Sequence, residues 1–391
     1  MANKQLMKEN KTMMIFLIVV ITINLLVNLY IFSRTRAIFP KGNAVWWIAA
    51  ILFWLIAFSY VIGRFAERTG PVWLAEPMIK TGSYWLGAMV YLTLLFLLID
   101  IFRGLNGLFH FTEFLRFNWM SSKGKTAILL VYSISAIILI AGYLNVKIPI
   151  VRKQVVQINK PVPGGIHNVV LVSDIHLGMM ISNGKLNKLV DLVNRQNADL
   201  VLLAGDIFDE DLGPVIQNNM GDLLKNLRAK HGVYAILGNH EFYGNANAAQ
   251  KYLENHNITV LRDSTVTLPN GITIVGREDI TGERMNGKPR KSIEKLLAGI
   301  DTEKPVFMLD HQPYKLKEVA SYKIDLQVSG HTHHGQMWPF NYITAALYEI
   351  SRGYGKINDT HFYVSSGYGT WGPPIRTNSR SEIIVLEIKG K

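Results

Sequence analysis

The chain contains no cysteine. Disulfide frameworks, thiolate metal sites and cysteine nucleophiles are therefore excluded, and any metal must be held by His, Asp, Glu or Asn. Charge is also scarce, at 18% of 391 residues against 49% hydrophobic. That balance excludes a disordered tail and predicts a folded protein of two modules. Acid is scarcest in the first 160 residues, where five Asp or Glu stand against seventeen Lys or Arg; the remainder carries twenty-four of each. The whole net charge of +12 thus belongs to the first module. Its cations sit beside apolar runs, where Lys and Arg meet lipid headgroups, so a bilayer is the expected partner and nucleic acid is not.

Long hydrophobic runs are what the first module has in abundance. Four of them, Met13–Phe32, Ala44–Gly63, Tyr84–Phe102 and Thr126–Asn145, each supply about the 20 apolar residues that a helix rising 1.5 Å per residue needs to cross roughly 30 Å of hydrocarbon. Trp46, Trp47, Trp85 and Tyr143 fall at their ends like an interfacial belt. The first run is long for a signal peptide, no small-residue cleavage site follows it, and three more runs come after. Residues 1–145 therefore read as an N-terminal four-helix transmembrane module, with Asp100 at an interface. An even number of spans puts both ends on one side. Ten Lys or Arg lie near the ends and the second loop, counting Lys80 as loop, against seven in the other two loops, a lean toward a cytoplasmic catalytic domain.

Residues 146–165 read as a linker, with Pro149, Pro161, Pro163, Gly164 and Gly165. From Ile166 to Lys391 the pattern changes to short β-rich runs alternating with helical ones, the signature of a layered α/β domain. Strands are predicted at 168–173, 199–204, 232–237, 272–276, 306–309, 325–328, 362–365 and 383–388, and helices at 185–194, 213–230, 246–257 and 292–299.

Five of the strand ends carry metal-binding side chains. They read Ser173-Asp174-Ile175-His176, Gly205-Asp206, Gly238-Asn239-His240-Glu241, Asp310-His311 and Gly330-His331-Thr332-His333-His334. Ligands at the carboxyl ends of strands in an open α/β sheet share one crevice. Seven candidates and a spare His are too many for one zinc, which takes about four ligands, and suit two cations with Asp206 between them. Asp209, Glu241 and Asp310 flank them and could orient the imidazoles or simply cap turns.

In these five blocks the chain resembles the calcineurin-like metallophosphoesterases, whose ordered pattern is DxH, GD, GNH(D/E), H and GHxH; the resemblance runs from about Ile166 to the C-terminus. It implies a four-layered α/β/β/α domain. It further implies one divalent ion on Asp174, His176, Asp206 and His333, a second on Asp206, Asn239, His311 and His331, and a catalytic His240 facing substrate. Mn²⁺ is expected first, with Fe²⁺ and Zn²⁺ compatible with an N/O donor set. The ending Ser366-Gly367-Tyr368-Gly369-Thr370-Trp371-Gly372-Pro373-Pro374-Ile375-Arg376 looks like the bacterial membrane-associated branch that includes UDP-diacylglucosamine hydrolases. One departure is His334, where that branch commonly has glycine.

The implied protein is a bacterial plasma-membrane hydrolase of a phosphodiester or pyrophosphate, its substrate lipid-linked or part of the envelope. A phosphomonoesterase, and a membrane sensor or transporter with a ligand-binding phosphoesterase-like domain, are the alternatives. Arg376 is expected to clamp a substrate phosphate through its two-pronged guanidinium. Between His333 and the strand at Phe362, the residues Trp338, Phe340, Ile343, Leu347 and Ile350 are spaced to form one apolar stripe, which either packs on the core or meets the bilayer.

Overall fold

The computed structural model describes residues 2–39, 42–69, 72–162 and 166–391. Pro163, Gly164 and Gly165 of the expected linker lie outside them. The chain divides into two compact units, the first ending at Ile140 and the second spanning Ala141–Lys391.

The first unit is built from helices α1 (Ala2–Thr35), α2 (Ala44–Thr69), α3 (Val72–Phe109) and most of α4 (Ser122–Lys147). Each contains a stretch long and apolar enough to cross a membrane: Ile18–Ile38, Ala44–Glu67, Trp73–Phe109 and Ser122–Lys147. The loop expected between the second and third spans is short, because α3 begins at Val72 and takes Lys80 into the helix. Charge breaks an apolar run in sequence without breaking a helix that outlasts the hydrocarbon. Asp100 is not a bare interfacial carboxylate. It accepts from Tyr30 Oη (2.7 Å), Arg34 Nη2 (2.8 Å) and Arg103 Nη1 (3.2 Å), as a charge among apolar helices must be paired.

The second unit has four layers. One sheet runs β1 (Ile150–Gln157), β12 (Glu382–Lys389), β2 (Asn168–Val172), β3 (Leu200–Ala204), β4 (Val233–Ile236), β5 (Thr259–Val260). The other runs β10 (Gly353–Ile357), β11 (Thr360–Val364), β9 (Leu326–Ser329), β8 (Val306–Leu309), β7 (Thr273–Gly276), β6 (Ser264–Thr267). Both are mixed: β2, β3, β4 and β5 are parallel, as are β7, β8, β9 and β11. The central strands read as unbroken apolar runs because both their faces are covered. From β2 and β3, Val169, Leu171, Leu200 and Leu202 point between the sheets against Ile274, Phe307 and Leu326. Val170, Val172, Val201 and Leu203 point the other way, onto the helical layer. There α5 (Asn183–Asn194) buries Leu186, Leu189, Val190 and Val193, a stripe at helical spacing.

The helix expected at 213–230 is broken into α6 (Gly213–Gln217) and α7 (Met220–Leu224). Asn219 takes a left-handed conformation (φ 49°) between them, which asparagine tolerates better than most residues. The remaining helices are α8 (Asn239–Tyr243), α9 (Ala246–Glu254), α10 (Ile280–Asn286), α11 (Ile293–Leu297), α12 (Leu316–Val319) and α13 (Asn341–Leu347).

The linker reading of 146–165 is corrected. Ile150–Gln157 forms β1, parallel to β12 along its full length. Prolines at both ends and the charges at Arg152 and Lys153 disguise it, yet an edge strand with one open face accepts such charges. Arg152 pairs with Glu382 of the neighbouring strand. Residues 141–147, the last turns of α4, also pack with this unit: Arg376 N donates to Gly142 O (3.0 Å), and Asn145 Nδ2 donates to Arg376 O (2.9 Å).

Candidate metal centre

Each of the five motifs lies just past the carboxyl end of a strand, after β2, β3, β4, β8 and β9, so parallel pairing carries them to one end of the two sheets. The chain turns sharply there. Asp174 (φ 49°), His176 (52°), Asp206 (51°), His331 (69°) and His333 (46°) all occupy the left-handed region, where Asp and His are tolerated but uncommon and which concentrates at functional sites. Close approach demands glycine at two positions: a Cβ on Gly238 would lie 2.2 Å from Asp206 Oδ1, and one on Gly330 2.3 Å from Asp174 Oδ2.

The side chains form three overlapping groups within metal-binding reach: Asp174, His176 and His333; Asp206, His311 and His331; and His176, Asp206 and His240. Asp206 links them. Its Oδ2 is 3.0 Å from His311 Nε2 and 4.0 Å from His176 Nε2, while Oδ1 accepts the amide of His240 at 2.9 Å. Asn239 joins through its Oδ1, 2.8 Å from His331 Nδ1. His331 N in turn donates to Asp174 Oδ1 (2.9 Å).

The donor set fits divalent cations. Asp174 Oδ2 is buried without a hydrogen-bond partner, a costly state that a cation beside it would relieve. The Nε2 atoms of His176 and His333 stand 3.1 Å apart, close enough that they cannot both carry protons. Burial foremost holds both rings, and His331, well toward neutrality: His176 falls to about 4, His331 to about 3, and His333 well below its ordinary value. Neutral imidazoles offer the lone pairs that metals need. His311 behaves oppositely. Burial opposes its charge, but Asp206, Asp174 and Asp279 outweigh that and hold it protonated, so its proton occupies the place a cation would neutralise. His311 Nδ1 faces Ala204 O at 2.7 Å, which fixes Nε2 as the atom turned to the site.

Arg376 does not touch substrate space. It is fully buried, with Nε and Nη2 donating to Gly369 O (3.1 and 2.7 Å), Nη1 to Ser379 Oγ (2.9 Å), and Nη2 lying 3.0 Å from His333 Nδ1. The expected phosphate clamp is therefore corrected: its donors are spent on the protein, and it acts from behind by holding the His333 ring.

The three flanking acids differ in what they hold. Asp209 lies 3.3 Å from His240 Nδ1 and 3.8 Å from His176 Nδ1. Asp310 faces away, paired with Arg277 (2.8 Å) and Arg290 (3.0 Å). Glu241, buried, accepts three backbone amides: Gly238 N (2.7 Å), Asp206 N (3.1 Å) and Phe208 N (2.8 Å). It pins two ligand loops together. Glu241→Ala leaves three buried donors unpaired, an expected loss of about 3 kcal/mol or roughly 6–12 °C in the melting midpoint of the solubilised protein. Tyr243→Phe, half exposed two residues on, should leave the midpoint in place.

A cavity of about 520 Å³ opens over the cluster. Its floor includes Asp206, Asn239, His240, His331 and His333, and its other wall is apolar, with Met337, Phe340, Leu347, Tyr348, Trp371 and Pro373. Sequence reasoning did not place Tyr348 or Trp371 there, since aromatic residues in loops carry no positional signal of their own.

A family model for calcineurin-like phosphoesterases matches residues 167–335. A metallophosphoesterase of Helicobacter pylori strain J99, itself uncharacterized, is 34% identical over 226 residues; the match covers 57% of this chain and 60% of that protein. An Aquifex aeolicus metallophosphoesterase is 30% identical over 243 residues, covering 62% of this chain and 92% of that protein. A Danio rerio protein described as a transmembrane protein with metallophosphoesterase domain is 30% identical over 401 residues, 96% of this chain and 89% of that one. With four helices able to cross a bilayer and a relative named for its membrane segments, this is a membrane protein. On the matched motifs and the shared length, the chain belongs to the calcineurin-like phosphoesterase family.

Proposed function

We propose that the protein is a membrane-anchored hydrolase of phosphodiester or pyrophosphate bonds that works with two divalent cations. The observation that carries this reading is that Asp206 stands in two adjoining groups, with His176 and His240 in one and with His311 and His331 in the other, while His176 also belongs to the group of Asp174 and His333 and Asn239 lies against His331. Bound there, the cations would neutralise phosphate oxygens and activate a water for in-line attack. Mn²⁺ is the first candidate, with Fe²⁺ and Zn²⁺ suited to the same donors.

The chain's own residues supply the rest. His240 lies on the cavity floor. Burial alone would lower its pKa, but Asp209, Asp206 and Glu210 push it up to about 9. With Nδ1 toward Asp209, Nε2 is the atom that donates a proton to the leaving oxygen. Asp209 holds the ring's orientation. The walls carry no Lys or Arg among the described residues, which suits a singly charged diester better than a doubly charged monoester.

The apolar wall and the Ser366–Arg376 ending support a lipid-linked, cell-envelope substrate, as in the UDP-diacylglucosamine hydrolase branch. The Lys/Arg balance supports a bacterial plasma membrane with the catalytic unit in the cytoplasm. Because the chain lacks cysteine, a single cysteine at exposed Lys315 reports the side by impermeant-thiol labelling of intact cells; labelling from outside refutes it. Purified protein with Mn²⁺ should hydrolyse bis-p-nitrophenyl phosphate faster than p-nitrophenyl phosphate and stop on chelation. A protein that only binds ligand would turn over neither, and a monoesterase would reverse the order.

A further inference from the structure

The helix α13 buries none of its residues. Around it, Trp338, Tyr342, Ile343 and Leu347 are 48%, 65%, 57% and 67% exposed, and Trp371 across the cavity is 58% exposed. Of the expected stripe, only Ile350 packs against the core. Single exposed apolar residues need no explanation, but several large ones grouped at the mouth of one cavity do.

Phe340, Leu347 and Trp371 are both exposed and part of the cavity wall, so the outer face continues inward to the catalytic residues. The Trp371 ring lies 6.3 Å from His240 and the Tyr348 ring 6.2 Å from His331, centroid to centroid. That side of the cavity is lined by aromatic and aliphatic side chains.

The face is also tied to a membrane helix. Trp338 N donates to Thr377 Oγ1 (2.8 Å), and Gln336 Nε2 donates to the carbonyls of Trp371 (3.0 Å) and Pro373 (2.8 Å). Arg376, in the same loop, is hydrogen-bonded through its backbone to Gly142 and Asn145 in the last turns of α4. A Cβ on Gly142 would lie 3.1–3.4 Å from Thr377, Ile375 and Arg376. There Lys147 sits over the Tyr143 ring at 5.3 Å, a basic and aromatic pair of the kind that marks a bilayer interface. The rim is thus hydrogen-bonded to the last turns of α4, which belong to the same unit.

We propose that α13 and Trp371 rest in the bilayer surface and that the apolar half of the cavity receives the hydrocarbon chain of an amphiphilic phosphoester drawn from that surface. This rests on the phosphoesterase reading above and adds the surface by which a lipid-linked substrate enters the site. A chain entering from lipid keeps its apolar area out of water throughout, and confinement to the surface raises the local substrate concentration.

The test uses the full chain in phosphatidylcholine vesicles with Mn²⁺ and two diesters that release the same phenolate, methyl and hexadecyl p-nitrophenyl phosphate. The hexadecyl ester should be turned over at least about tenfold more efficiently. Ile343→Asn with Leu347→Asn, and separately Trp371→Ala, should cut the hexadecyl-to-methyl ratio by a similar factor; all three side chains are exposed, so folding is not at stake. An independent arm needs no turnover: an alkyl phosphonate with a diazirine in its tail should label the 337–348 peptide or Trp371 on irradiation. Failure to hydrolyse either ester refutes the phosphoesterase reading, and the labelling still judges the surface. Equal efficiency on both esters, or labelling elsewhere, overturns the proposal and leaves the rim to a soluble partner or a second copy.

Discussion

Asp206→Asn should leave purified protein with fewer than one bound ion per chain and slow diester hydrolysis by at least about three orders of magnitude. The replacement is nearly the same shape, so the fold is not what fails. Asp206 sits past β3 with a left-handed backbone, Oδ1 held by the His240 amide and Oδ2 turned to His311. An amide there offers one neutral oxygen where a carboxylate offers two and a charge, and its nitrogen would press N–H donors toward the His240 amide or the His311 ring. The two groups that contain Asp206 lose their common member at once. Metal analysis beside activity is the check: two ions retained with turnover intact would remove Asp206 from the bridging role. Asp209→Asn, three residues after Asp206 and in none of the three groups, should keep both ions and serves as the comparison.

His240→Ala should do the reverse, keeping both ions while lowering turnover by roughly 10²–10⁴-fold. The ring stands at the start of α8, near Asp209 on one side and packed edge-on to His176 at 4.6 Å between centroids. Its protonated state is held by acids that the substitution leaves behind, so alanine deletes a proton donor and a positive charge without opening the ligand groups that contain Asp174 and His311. Added imidazole should restore part of the rate if the loss is of the donor. Because His240 also lies within reach of His176 and Asp206, a collapse of metal content in this variant would instead make it a ligand, and the proton-donor assignment would go.

The residues that the fold gathers at the candidate site were legible in sequence because each lies within a few positions of a strand end, and Asp206, Asn239 and His331 directly follow glycines that close packing requires. Fully apolar strands such as Val169–Val172 and Leu200–Ala204 announced a sheet covered on both faces. What stayed hidden depends on distant partners. β1 is a strand only because β12, more than two hundred residues later, presents a free edge. Arg376 looked like a phosphate clamp because sequence shows the guanidinium but not the carbonyl of Gly369 that consumes it. Glu241 was recognised as a flanking acid, yet its hold on three amides from two loops is a property of tertiary placement. The stripe in α13 has helical spacing whichever way it faces, so periodicity could not choose between core and surface.

The edge strand has a consequence for how the enzyme can be released from its anchor. Proteolysis between β1 and Ile166 would free a fragment whose β12, reading Glu-Ile-Ile-Val-Leu-Glu-Ile-Lys, has one flank stripped of the eight residues that now pair with it. Bare amides along an apolar strand invite pairing with the next such fragment. A cut between β1 and β2 would then yield aggregating protein, whereas a cut between α4 and β1 would leave the edge covered, so the eight residues of β1 set where the anchor can be severed without exposing the sheet.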